Sequence, residues 1–95
     1  MAAYVIVEVE VTDPNLMATY RTMVGPTLDQ FGGKFLVRGG QTSVLEGDWR
    51  PERVVVLEFE SVERAKQWHD SEVYREPKRL RHEAGRTKMI VVEGV

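Results

Sequence analysis

Val7-Glu8-Val9-Glu10 and, about fifty residues on, Leu57-Glu58-Phe59-Glu60 decide the fold. Each closes an alternating strand and leads through a turn into an amphipathic helix. Two β-α-β halves in one short chain predict a ferredoxin-like α+β sheet with helices on one face. In the first half, residues 4–11 put Val5, Val7, Val9 and Val11 on one side and Tyr4, Ile6, Glu8 and Glu10 on the other. Period two with β-branched residues is a strand signal. Thr12-Asp13-Pro14 then offers a cap followed by proline in the first helical turn. Leu16, Tyr20 and Met23 form a helical stripe, Gly25-Pro26 is expected to break or kink it, and Gly32-Gly33 ends it.

Working onward, residues 34–38 read as a strand. Gly39-Gly40 reads as a bulge or bend, after which 42–45 resumes the strand and 46–51 forms a turn. Residues 53–59 are the most apolar strand, with Val55, Leu57 and Phe59 facing one way and Val54 and Val56 the other. Ser61 caps a helix whose inward stripe is Val62, Ala65 and Trp68. Asp70-Ser71 breaks it, a further helix over 72–84 turns Val73, Tyr74, Pro77 and Leu80 inward, Gly85 closes that piece, and 88–93 is the last strand. The order is β-α-β-β-α-β in a single domain over 1–95, with the first and third strands central in an antiparallel sheet. The sheet face bearing Tyr4, Ile6, Val54 and Val56 is too apolar for water. A second copy of the chain is the expected cover, making a homodimer through the sheets.

Composition narrows the chemistry. There is no cysteine, so disulfides, thiolate nucleophiles and cysteine-based metal sites are out. Met1-Ala2-Ala3-Tyr4 runs into the first strand without a signal-peptide pattern, and no apolar run approaches membrane-spanning length. The expectation is a soluble, cytoplasmic protein with no membrane partner. Net charge is −2. The basic cluster Arg75, Lys78, Arg79, Arg81, Arg86 and Lys88 is expected to be a solvated helix face without a specific nucleic-acid role.

Further local matches carry a family resemblance. They are Phe31-Gly32-Gly33-Lys34-Phe35-Leu36-Val37-Arg38-Gly39-Gly40, Val44-Leu45-Glu46-Gly47-Asp48-Trp49, Val55-Val56-Leu57-Glu58-Phe59, Ser71-Glu72-Val73-Tyr74 and Val92-Glu93-Gly94-Val95. In order and across essentially the whole chain, they resemble the domain of unknown function 1330 family of the dimeric α+β barrel superfamily. The resemblance implies a ferredoxin-like protomer whose sheet packs on that of a second protomer, and it implies no activity. Other branches of the superfamily include cofactor-free monooxygenases, small isomerases, haem-dependent enzymes and binding proteins, so fold alone does not choose a function.

Five residues are candidates for chemistry. Glu8 and Glu58 hold equivalent places in the two halves and point away from the helices; side by side they would raise each other's pKa and act as a catalytic acid–base pair. Arg38, before the Gly39-Gly40 bend, is a candidate clamp for a ligand carboxylate if it shares that face. Trp49 and Tyr4 would supply an aromatic wall, Trp49 from a turn where it either contacts the other protomer or lids a pocket. Tyr20 and Trp68 read as packing that also borders the helix–sheet cleft. His69 and His82 lack metal-ligand spacing, the glycine pairs do not form a phosphate loop, and no serine sits in a nucleophile elbow. No metal or organic cofactor is expected. Three functions stay open: a cofactor-independent enzyme acting on a small organic molecule, a non-catalytic binding or sensing module, and a purely structural dimer.

Overall fold

The alternation of valines builds the centre of the structure, a computed structural model that describes every residue from Met1 to Val95. β1 (Ala3–Val11) buries Val5, Val7 and Val9 and turns Tyr4, Ile6, Glu8 and Glu10 to the opposite face. α1 (Pro14–Phe31) follows, capped by Asp13, whose carboxylate accepts from the backbone N–H groups of Asn15 and Leu16. Next come β2 (Lys34–Arg38), β3 (Arg53–Phe59), α2 (Val62–His69), α3 (Glu72–Ala84) and β4 (Gly85–Glu93). The antiparallel sheet runs β2-β3-β1-β4, so the first and third strands are central as expected.

Helix α1 is not interrupted at Gly25-Pro26. Its preceding residue carries no Cβ to meet the proline ring, and the helix passes through Pro26 unbroken. Its buried stripe is Met17, Val24, Thr27 and Leu28, with Leu16 and Tyr20 at its margin. Gly32 ends it in the left-handed conformation (φ 71°). The second helix does break where Asp70-Ser71 predicts. Ser71 caps α3 by accepting from Tyr74 N while its own hydroxyl donates to Trp68 O. Residues 42–45 do not resume a strand: 39–52 is irregular, and the bulge lies earlier, between Phe35 and Val37.

The core fills the gap between sheet and helices. Trp68 stacks on Tyr74 with ring centroids 4.1 Å apart and on Phe59 at 5.4 Å, and its indole N–H donates to Thr27 Oγ1 at 3.0 Å. Burying side chains of this size stabilises by roughly 1.5–3 kcal/mol each.

No loop separates α3 from β4. The Ala84 carbonyl accepts from both Thr12 N and Asp13 N, at 2.8 and 2.9 Å, which ties this junction to the start of α1. At Gly85 a Cβ would collide with the Glu10 carbonyl oxygen, a backbone atom that cannot step aside. Gly85→Ala is therefore expected to destabilise by about 1–3 kcal/mol in denaturant unfolding. Gly40→Ala, where a Cβ meets nothing within 4 Å, serves as the tolerated control.

Candidate functional site

The five sequence candidates do not converge. Strand register sets Glu58 beside Tyr4 and Glu8 beside Val54. Both carboxylates leave the same face, but four residues apart along antiparallel strands, about 13 Å at 3.3 Å per residue. Equivalent places in the two halves fall at opposite ends of neighbouring strands, so the expected acid–base pair does not form. Glu58 instead pairs with Lys34 at 3.0 Å. That hydrogen bond and charge, with a smaller contribution from the Tyr4 hydroxyl, hold its carboxyl below the usual range against the opposing effect of burial. Glu8 stands opposite Lys88. Trp49 lies in the irregular stretch, 60% exposed, beside Val44, Leu45, Pro51 and Val54.

Arg38 is on the other side of the sheet. The bulge inserts one residue between Phe35, opposite Leu57, and Val37, opposite Val56. Every residue after it changes face. Arg38 therefore lands opposite Val55, on the helix side, where its guanidinium lies over the Phe35 ring at 4.2 Å and donates to the Arg21 carbonyl at 3.4 Å. Two residues of β3 away, Arg53 donates to the Arg38 carbonyl at 3.5 Å.

These residues border a cavity between helices and sheet, of about 50 Å³, walled by Val7, Val9, Val24, Val55, Leu57 and Trp68. Arg21, Arg38, Arg53 and Arg81 also line it. None of the four is in an ion pair, while Arg75, Arg79 and Arg86 all are. Burial and the charges of Arg21 and Arg38 hold the Arg53 guanidinium below its ordinary pKa. Like charges gathered without a counter-ion destabilise one another, and an anion relieves them. A guanidinium carries five donors, so most of those on Arg38 and Arg53 remain available.

Arg81 was expected on a solvated face but is only 3% exposed. Its sequence signal is the stripe it completes: Tyr74, Pro77, Arg81 and Ala84 are the buried residues of α3. Its Nε donates to Tyr74 Oη at 3.2 Å, its Nη1 to Thr87 Oγ1, and its Nη2 meets His82 Nε2 at 3.3 Å. Tyr74 Oη is in turn 2.8 Å from Tyr20 Oη. Burial, then the neighbouring Tyr74, push the Tyr20 phenol well above its ordinary pKa. No group of three or more His, Cys, Asp or Glu side chains is placed to hold a metal ion.

The sequence profile of the family described as domain of unknown function 1330 (DUF1330) matches residues 2–95. The chain belongs to the DUF1330 family. No curated protein matches the DUF1330 chain in sequence. Among solved structures it is similar to a protein of unknown function from Rhodopseudomonas palustris, 22% identical, with a TM-score of 0.75 over 99% of this chain and 82% of that one. A dimeric ferredoxin-like protein of unknown function from Jannaschia is 11% identical, with a TM-score of 0.67 over 99% and 100% of the two chains. A cofactor-independent oxygenase from Streptomyces nogalater is 9% identical, with a TM-score of 0.62 over 98% and 92%. At these identities the likeness is one of fold.

The histidines flanking the Arg81 network give the DUF1330 chain a pH dependence. Burial and Lys78 lower the pKa of His69 against the pull of Asp70, and burial, Arg81, Lys78 and His69 lower that of His82. A depressed histidine pKa means the unfolded chain binds the proton more tightly. Stability from this source is therefore full above about pH 6.5 and falls as pH drops toward the folded values. Thermal melts from about pH 8 to about pH 5 are expected to show Tm falling below that point. The double variant His69→Gln, His82→Gln should flatten the fall, and an unchanged slope would assign it to other groups.

Proposed function

We propose that this DUF1330 chain binds a small organic anion in the cavity between its helices and its sheet. One observation carries the reading: three guanidiniums, those of Arg21, Arg38 and Arg53, line an apolar cavity and no carboxylate of the chain pairs with them. In this reading Arg38 holds the ligand's carboxylate from the helix side of the sheet. The ionisable groups lining the cavity are arginines and a phenol held protonated, none of them a general base. The lining is equipped to hold a carboxylate or oxyanion. A cofactor-independent reaction in it would draw on anion stabilisation, and the fold shared with a cofactor-independent oxygenase is compatible with that enzymatic version.

Thermal shift with propanoate through hexanoate, each against its neutral amide, tests the reading. Carboxylates are expected to raise Tm and amides to leave it unchanged, with stabilisation reaching about 2.7 kcal/mol at a hundredfold excess over Kd. Arg38→Met and Arg53→Met should each remove the response, and Arg53→Met should slightly raise the Tm of the free protein by relieving repulsion. Equal shifts with acids and amides, or a full response in both variants, would refute it.

The open sheet face supports a second reading compatible with the first: the chain is a homodimer joined through its sheets. Ile90 and Val92 are exposed there beside Tyr4, Ile6, Val54 and Val56, and Val44, Leu45 and Trp49 stand at its margin with little of their own chain to cover them. In this arrangement Tyr4 and Trp49 are contact residues, and Glu8 and Glu58 pair across the ladder or the interface. No helix is long and apolar enough to cross a membrane. Light scattering at micromolar concentration is expected to give the mass of two chains, and Val56→Arg to give one, since an unpaired buried charge costs about 3–5 kcal/mol. A stable wild-type monomer would rule the dimer out.

A further inference from the structure

The anion reading gives the cavity its charge, and the buried tyrosines add a hydrogen bond of fixed direction. The Arg81 guanidinium can only donate, so Tyr74 Oη accepts from its Nε at 3.2 Å. Tyr74 is fully buried, and the one other polar atom within hydrogen-bond reach of its hydroxyl is Tyr20 Oη, at 2.8 Å. The Tyr74 proton must therefore go to Tyr20, because a buried donor left without an acceptor is strongly disfavoured. Tyr20 accepts it, which leaves the Tyr20 proton for another partner. No protein acceptor other than Tyr74 lies within reach of that hydroxyl, and Tyr20 lines the cavity together with Arg38 and Arg53. The chain Arg81 to Tyr74 to Tyr20 runs donor to acceptor throughout, and each bond polarises the next. Burial and Tyr74 keep the phenol protonated, so it serves as a donor across the physiological range.

We propose that Tyr20 is the specificity-determining residue of this cavity: its phenol O–H donates to a neutral carbonyl oxygen of a small oxo acid whose carboxylate rests on Arg38 and Arg53. Tyr74 and Arg81 act as positioning residues, holding that proton toward the ligand. An acid without the carbonyl leaves the Tyr20 donor unpaired when it excludes water, and a site built around such a donor discriminates against it. The assignment rests on the anion reading and adds to it the second functional group of the ligand.

Isothermal titration with pentanoate, 2-oxopentanoate and 4-oxopentanoate separates the two claims. The wild type is expected to bind at least one oxo acid about tenfold or more tightly than pentanoate. In Tyr20→Phe, which keeps the ring against the core, that preference should vanish, with pentanoate binding more tightly than in the wild type because no donor is left unpaired. Tyr74→Phe, which no longer holds the Tyr20 proton toward the ligand, should reduce the preference. Equal affinities for all three acids in the wild type, or a preference that survives Tyr20→Phe, would overturn the Tyr20 assignment and leave the anion reading standing. Failure of all three to bind would overturn both. Wild-type protein labelled at tyrosine Cζ gives an independent readout: the Tyr20 resonance should move in the direction of a stronger donated hydrogen bond with the preferred oxo acid and not with pentanoate, and equal movement with both counts against the proposal.

Discussion

The helical layer of this protein depends on one aromatic contact, the stack of Trp68 on Tyr74. Trp68 comes from α2 and Tyr74 from α3, on either side of the Asp70-Ser71 break, and both rings are excluded from water. Trp68 also touches Phe59 of β3 and donates to Thr27 of α1. One side chain thus fixes three helices and the sheet relative to one another. Without that stack, the hydroxyl of Tyr74 would have no reason to stand beside both Arg81 and Tyr20. Packing comes first here, and the polar network is hung from it.

A second constraint acts in the sheet. Without the bulge, Lys34 and Arg38 would share a face, and Arg38 would leave the cavity. One extra residue between Phe35 and Val37 sends Lys34 to Glu58 on the open face and Arg38 to the helix side. The bulge therefore divides the cations of one short strand between two tasks. Its energetic cost is a disrupted ladder, and its effect is to bring Arg38 beside Arg53 and Arg21.

Much of this architecture was legible in the sequence. The valine alternation of β1, the Asp13 and Ser61 caps and the Gly32 stop are local signals, and local geometry obeyed them. The repeat gave strand order, because right-handed crossovers leave little choice. The site was less legible. Equivalence of Glu8 and Glu58 within the repeat suggested proximity, yet antiparallel strands carry equivalent positions to opposite ends. The bulge has no glycine to announce it, since it arises from pairing with β3, and the Gly39-Gly40 pair lies beyond it, past the end of the strand. Arg81 sat in a run of charges, and its helical phase with Tyr74 and Ala84 outweighed that composition.

The pairing of β1 with β4 joins the two most distant parts of the chain, with Ala3 opposite Glu93 and the Gly94 N–H donating to the Ala2 carbonyl at 2.7 Å. During synthesis, β1 emerges well before its β4 neighbour. Until then one long side of a valine-rich central strand has no hydrogen-bonding neighbour, and the Ala84 carbonyl is not in place to receive Thr12 and Asp13. Closing so large a loop is entropically slow. Between the emergence of β1 and that of β4 the nascent protein thus carries an open strand edge, the form in which a chain is most open to pairing with a neighbour of its own kind.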